Sequence, residues 1–310
     1  MNSTFQKTSD KLGPFIQKVS KAKIDYCKIT VCDQVVFSHA RNSHSEHKLH
    51  KINSITKSVL SLLIGIAIDR KQLDSVHMPL SDFFPEVKTN SEITLTIEHL
   101  LTMTTGWDWP EMGDWGGKPM PMINSKDWIK FILARPMKDK PGTRMLYNSG
   151  SSHLLSAILQ KITGMNTDQY AEKYLFKPMG ITDSRWYADS KGIIIGGFGL
   201  ELRAPDLHKL GQLMLGKGRI GGDVIVSEGW IDQSVKARFH TYDHIGSYGY
   251  HWWILNEGNE PLADPYTYFA MGYGGQYIFV VPEHELIVTF ASTLYKQTFL
   301  PYRIFKEFIL

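Results

Sequence analysis

"HKINSITKSVLSLLIGIAIDR", residues 50–70, decides how the rest of the chain is read. From Ser54 to Ile68 it reads as a helix that is apolar almost all the way round, yet it carries Lys57 near its start with no acidic residue beside it. An unpaired cation is too strongly hydrated to enter a core without a compensating role. It either reaches out to water or takes part in chemistry. At about 100° per residue, Ser54, Lys57, Ser58 and Ser61 fall at i, i+3, i+4 and i+7 and form a single polar stripe on the helix. A lysine held among apolar neighbours loses solvation, its pKa falls toward neutrality, and it can take a proton from a serine one turn away. The positive end of the helix then favours the negative charge that develops on that serine. The second reading of the same residues is Ser54 as a helix N-cap with Lys57 snorkelling to solvent. Spacing does not choose between them, because Ser-x-x-Lys also occurs at Ser20–Lys23 and Ser45–Lys48; only Ser54–Lys57 opens a long apolar helix.

The whole chain sets the frame for that helix. Its 310 residues, 43% hydrophobic and 21% charged, are enough for a large core and two lobes. With 34 basic against 31 acidic residues and no long run of one sign, nucleic acid and anionic membrane are poor partners. The start, "MNSTFQKTSDKLGPF", lacks the basic-then-apolar layout of a signal peptide, and no apolar run approaches the roughly 18 residues of a membrane span. The expected location is cytoplasmic. Cys27 and Cys32, read on one strand at an offset of five, point to opposite faces and are expected to stay reduced.

The pattern predicts a helix over about residues 7–20, then two strands, "IDYCKITVCD" and "QVVFSHA", joined by a tight turn. After the Ser54 helix, residues 71–184 are mostly helical, with "TIEHLLTM", "SKDWIKFILA", "SSHLLSAILQKITG" and "NTDQYAEKYLFKPMG" as the helices. The last two end in glycines, where helix C-caps place them. "RAPDLHKLGQLMLGKG" reads as a further helix, "YGYHWWIL", "QYIFVVP" and "LIVTFAST" as strands, "PEHE" as the turn between the last two, and "LPYRIFKEFIL" as a closing helix. Strands at both ends with helices between them predict an α+β fold. One sheet domain (residues 1–70 and 185–310) would carry an inserted helical domain (71–184), with a cleft between the two.

Six windows then appear in order: "SITKS", "LTIEHLLTMTTGWDW", "MLYNSGSSHLLSAIL", "GGFGLELRAPDLHKLGQLML", "YGYHWWI" and "GYGGQYIFVVPEHELIVTFAS". Together they resemble the serine β-lactamase-like hydrolases. The matching branch is class C-like and holds penicillin-recognising enzymes, esterases and short-amide hydrolases such as the 6-aminohexanoate dimer hydrolases. The resemblance covers residues 24–310 and implies a β-lactamase/transpeptidase-like antiparallel sheet flanked by helices. It further implies Ser54 as nucleophile and Lys57 as proton acceptor. Tyr147, in Tyr147-Asn148-Ser149, matches the family's Tyr-x-Asn and would shuttle the proton. Here Ser149 stands where the family has asparagine, leaving Asn148 as a candidate for the missing amide. The third box, Lys-Thr-Gly in β-lactamases, reads Tyr273-Gly274-Gly275, followed by Gln276. Its glycines would let backbone approach substrate, and the N–H groups of Gln276 and Ser54 would form the oxyanion hole. Loss of the lysine, which in β-lactamases helps hold the drug's carboxylate, disfavours strong β-lactam hydrolysis.

The expected function is a serine hydrolase of esters or small amides working without cofactor or metal. Its partners are small-molecule esters, amides or β-lactam-like substrates, with no nucleic acid or membrane. A penicillin-binding peptidase acting on D-amino-acid amides, a β-lactamase, and a non-catalytic binding or sensing member of the fold are the alternatives. His99 and His153 read as packing or capping residues, and the scattered histidines lack metal spacing. "GGFGLELRAP" fits neither Gly-x-Gly-x-x-Gly nor a P-loop and reads as a tight turn near the site; no Gly-x-Ser-x-Gly elbow is present. The tryptophans of "GWDWPEMGDWGG" serve either as an apolar wall of the pocket or as lobe core.

Overall fold

Cys32 and Asp33 both adopt positive φ, 48° and 59°, between the paired residues Val31 and Gln34. Two such residues make the tight turn whose twist matches a hairpin. Cys32 is therefore in a turn and exposed, rather than on a strand as its sequence context suggests; Cys27 is buried on the strand, and both thiols are free. This computed structural model describes residues 3–87, 94–256 and 262–310, with side chains from Leu12 onward.

The strands follow in chain order. The hairpin supplies β1 (Ile24–Val31) and β2 (Gln34–Ala40), and β3 (Leu49–Lys51) leads to the Ile55–Asp69 helix. After the helical stretch come β4 (Ser184–Trp186), β5 (Leu200–Arg203), β6 (Arg219–Ile220), β7 (Asp223–Val224), β8 (Phe239–His240), β9 (Ser247–Tyr248) and β10 (Trp253–Ile254). The last three are β11 (Tyr268–Gly272), β12 (Gln276–Val281) and β13 (Leu286–Ser292). Eight of them form one antiparallel sheet in the order β2-β1-β13-β12-β11-β10-β9-β8. The two ends of the chain meet where β1 pairs β13, from Ile24 opposite Ser292 to Val31 opposite Leu286.

Strand alternation sends β12 side chains to two cores. Tyr277, Phe279 and Val281 join Phe15, Phe290 and Phe305 beneath the terminal helices Ser3–Lys21 and Leu300–Phe308; Phe279 stacks on Phe305 at 3.9 Å. Ile278 and Val280 face the other way, toward Leu207 and Leu210 of the Ala204–Leu215 helix and the Ile55–Asp69 helix. Every residue of that last helix from Ile55 to Ala67 is buried. Between it and β4 the regular structure of the described residues is helical apart from single bridges: a short 3₁₀ helix at Leu80–Asp82, then Ile97–Leu101, Met120–Ile123, Trp128–Leu133, Ser149–Thr163 and Thr167–Ala171, the last running into a π turn at Glu172–Phe176. The whole is α+β. No helix among the described residues is long and apolar enough to cross a membrane.

Besides Cys32, and elements that the pattern passes over, among them β11 and the Glu228–Val235 helix, two features depart from the sequence pattern. A separate sheet, β3-β5-β4, carries strands of three or four residues, too short for alternation to announce them. "YGYHWWIL" is not one strand but two, β9 and β10, reversed through a turn in which the Gly249 N–H donates to the Trp252 carbonyl and His251 sits at φ 61°. The reversal is held from outside: the Tyr250 N–H donates to the Ser234 carbonyl and the His251 N–H to the Leu101 carbonyl.

Candidate active site

Ser54 stands at the N-cap position of the Ile55–Asp69 helix, but its backbone is already helical and its hydroxyl makes no capping bond. Lys57, one turn on, is 1% exposed. Neither half of the cap-and-snorkel reading therefore holds here. The Lys57 Nζ donates to the Gly197 carbonyl at 2.6 Å and lies 3.1 Å from Ser149 Oγ and 3.2 Å from Ser54 Oγ. Burial pushes its amine down to about 8, partly countered by the negative charge of Glu111.

Tyr147 is buried, with its hydroxyl bonded to Ser54. Lys57 Nζ lies 4.8 Å from its ring centroid, and the ring stacks on Trp253 at 5.9 Å. Burial drives the phenol well above its ordinary value, so it remains a neutral O–H at physiological pH. Its neighbours are tied to the Met103 turn: the Leu146 N–H donates to the Met103 carbonyl, and the Asn148 N–H points at Met103 Sδ.

Asn148 and Ser149 take different parts. The Asn148 carboxamide oxygen accepts the Ser151 N–H at 2.8 Å and caps the Ser149–Thr163 helix. It is Ser149 that meets Lys57. Ser149 in turn donates its hydroxyl proton to Glu111 Oε1 at 2.7 Å, while Glu111 Oε2 accepts the Ser149 N–H and the Trp109 indole N–H, each at 2.7 Å. Glu111 is 2% exposed. Trp107 and Trp109 are buried in the core, and Trp109 packs edge-on to Trp115 at 4.9 Å. The tryptophan loop is thus lobe core, and it carries the carboxylate of the site.

Gly197 reaches Lys57 because its segment lies directly on the Ser149–Thr163 helix. A Cβ on Gly196 would fall 2.0 Å from the Ser152 carbonyl, and one on Gly197 would fall 2.9 Å from that of Ser149. Only glycine permits that approach. On the far side, Tyr273-Gly274-Gly275 turns β11 into β12 through two consecutive left-handed residues at φ 85° and 84°. The Ser292 hydroxyl is within hydrogen-bonding reach of both glycine carbonyls, at 2.8 Å and 2.9 Å. This turn abuts the segment before the serine: the Asn53 amide donates to the Tyr273 carbonyl at 2.6 Å. The Gln276 side chain is committed to Ser292, accepting its N–H and donating to its carbonyl, which leaves backbone as what this residue can offer. The Tyr273 ring is 46% exposed, 5.3 Å from that of Tyr295.

The expected residues Ser54, Lys57 and Tyr147 thus come together, with the Tyr273–Gly275 turn beside them. Glu111 and the Gly197 carbonyl were not anticipated. The sequence signal for Glu111 is slight: it is the one acidic residue of "WPEM", and its contact with Ser149 exists only in the fold. His99 caps the Ile97–Leu101 helix by a reciprocal pair with Thr96, and buried His153 pairs with Asp189 at 3.1 Å. Among the described residues no cluster of His, Cys, Asp or Glu is placed to hold a metal ion.

Comparison with known proteins bears on the family and the fold. The chain is 21% identical over 298 residues to the 6-aminohexanoate-dimer hydrolase of Paenarthrobacter ureafaciens, spanning 89% of this chain and 74% of that one. A lovastatin esterase of Penicillium rubens is 26% identical over a shorter stretch, 41% of this chain and 32% of the relative. The penicillin binding protein from Bacillus halodurans shares the fold at a TM-score of 0.75 and 20% identity, covering 94% of this chain and 99% of that one. A family model described as Beta-lactamase matches residues 26–303, and the chain belongs to that family of serine hydrolases.

Proposed function

We propose that the protein hydrolyses a carboxylic ester or small amide through an acyl-enzyme on Ser54. The observation that carries this reading is a fully buried lysine amine, lowered to about 8, within 3.2 Å of a serine hydroxyl that has no structural task. Ser54 Oγ attacks the substrate carbonyl as its proton passes to the neutral Lys57 amine. The backbone N–H groups of Ser54 and Gln276 hold the oxyanion. As the tetrahedral adduct collapses, the leaving alcohol or amine takes the proton by way of Tyr147, whose neutral hydroxyl lies at Ser54. Water then adds to the acyl-serine, gives its proton to Lys57, and releases the acid with Ser54 restored.

Tyr273 in place of a lysine favours ester or amide substrates over β-lactams, since the residue itself offers no ammonium to the drug's carboxylate and the Lys118 Nζ near it lies over its ring, 5.8 Å from the centroid. Of the relatives, the 6-aminohexanoate-dimer hydrolase and the lovastatin esterase point the same way. The test is nitrophenol release from a short p-nitrophenyl ester by wild type and Ser54→Ala, with intact mass after benzylpenicillin in parallel. Turnover by wild type alone, without a lasting penicillin adduct, is expected. A lasting adduct on Ser54 would replace this reading with a penicillin-recognising one, and equal rates for both proteins would remove Ser54 as the nucleophile.

A further inference from the structure

The lysine amine has three polar neighbours, and their chemistry decides which way it points. A neutral amine has two N–H donors and one lone pair. The Gly197 carbonyl, at 2.6 Å, can only accept, so it takes one N–H. Ser149 Oγ, at 3.1 Å, could either donate to the amine or accept from it, and its other partner settles the matter. That partner is Glu111 Oε1, an acceptor at 2.7 Å, which claims the one proton the Ser149 hydroxyl owns. Ser149 is left to accept the second N–H of Lys57. The lone pair then has a single remaining neighbour, the Ser54 hydroxyl.

From this geometry we infer that Glu111 is a positioning residue: acting through Ser149, it turns the lone pair of the Lys57 amine onto Ser54. The inference rests on the reading of Ser54 and Lys57 as nucleophile and base, and explains how a short serine serves where relatives use an amide. Glu111 itself is saturated, its second oxygen holding the Ser149 N–H and the Trp109 indole N–H, so its part is indirect.

Glu111→Gln tests the idea by exchanging one atom. The two N–H donors at Oε2 require the amide oxygen there, which forces the new NH2 to face Ser149 Oγ. The Ser149 proton loses its acceptor and turns to the nearest one, the Lys57 lone pair. The base is then capped by its own neighbour. Glu111→Gln/Ser149→Ala removes the capping hydroxyl and frees the lone pair again.

The readout is the rate at which a fluorophosphonate labels Ser54, followed by intact mass. In that step the Ser54 Oγ–P bond forms, the P–F bond breaks, fluoride leaves, and the serine proton goes to Lys57. Glu111→Gln is expected to slow labelling on the order of 10²-fold, the low end of what a positioned base contributes. The double variant is expected to label faster than Glu111→Gln alone, close to Ser149→Ala. A purely structural role would make the double variant no faster than Glu111→Gln. That result, or wild-type labelling by Glu111→Gln, would overturn the inference. The comparison of the double variant with Glu111→Gln stands even if both melt lower than wild type, because they share the Gln. Should wild type label at Ser54 yet hydrolyse no p-nitrophenyl ester, the hydrolase reading falls while the labelling series still decides the role of Glu111. Absence of labelling in wild type would overturn both.

Discussion

Lys57 shows how burial converts an ordinary side chain into a reagent. Desolvation disfavours its ammonium and brings the amine to about 8, while Glu111 pulls in the opposite direction. Below that value the lysine is protonated and cannot accept from Ser54; above it the amine is free. For a neutral ester, kcat/KM is therefore expected to rise about tenfold per pH unit up to roughly pH 8 and then level off. A flat profile from pH 6 to 9 would exclude Lys57 as the base. In the proposed mechanism Tyr147, held neutral by burial, has the complementary task of donating. Tyr147→Phe is expected to lower kcat by about 10²–10⁴-fold while leaving the acid limb where it was, as the pH profile of the variant would show. Ser54 and Lys57 were legible in the sequence because both lie on one helix turn. Glu111 was not, since its partner Ser149 is 38 residues away and only packing brings them together.

Elements place these residues through their ends and crossings. The Ser149–Thr163 helix begins at the site, and Asn148 caps it with its carboxamide oxygen. Asn148→Ala should cost about 1 kcal/mol of stability, with Asn148→Asp restoring most of it, as thermal melting would show. Gly196 is the opposite case, a residue chosen for what it lacks. Its missing Cβ would sit 2.0 Å from the Ser152 carbonyl, and backbone on both sides cannot yield cheaply. Gly196→Ala is expected to lose about 1–3 kcal/mol and to lower activity by shifting the Gly197 carbonyl off Lys57. Activity and melting temperature both at wild-type level would show that this crossing is not needed. Most longer helices were readable from periodicity because each buries one face or all of it, while the Glu228–Val235 helix was not read. The reversal between β9 and β10 was not, because hydrogen bonds from Tyr250 and His251 to distant carbonyls impose it.

At the scale of the molecule, two buried histidines tie layers together in their neutral forms. His208 lies within 3.0 Å and 2.9 Å of the Thr30 and Thr289 hydroxyls, joining the Ala204–Leu215 helix to β1 and β13. His251 lies 3.0 Å from Ser152 Oγ, joining the β9–β10 turn to the Ser149–Thr163 helix. Burial, the dominant cause, pushes each from 6.5 down to about 3; Lys28 adds to the effect on His208 and Lys57 to that on His251. Between those values the unfolded chain binds more protons than the folded one, so stability rises with pH across the window and is lost as pH falls below 6.5. The melting temperature is expected to drop already between pH 7 and 5, where ordinary carboxylates are still ionised. An unchanged melting temperature over that interval would show that these histidines can charge in place. The eight-stranded sheet that both histidines support joins the two ends of the chain, and strand pattern at each end announced it.

Local sequence determined whatever depends on neighbours within a few residues: the buried helix with its serine and lysine, the strand alternation that feeds two cores, the glycine turns and the helix end at Gly164, though not the one expected at Gly180. These are set by periodicity, turn chemistry and desolvation along one stretch of chain. Tertiary structure alone decided the direction of the chemistry. The carbonyl of Gly197 and the hydroxyl of Ser149 reach the amine, and the carboxylate of Glu111 reaches that hydroxyl, all from separate segments, and hydrogen-bond donors and acceptors can be counted only when all of them stand in one place.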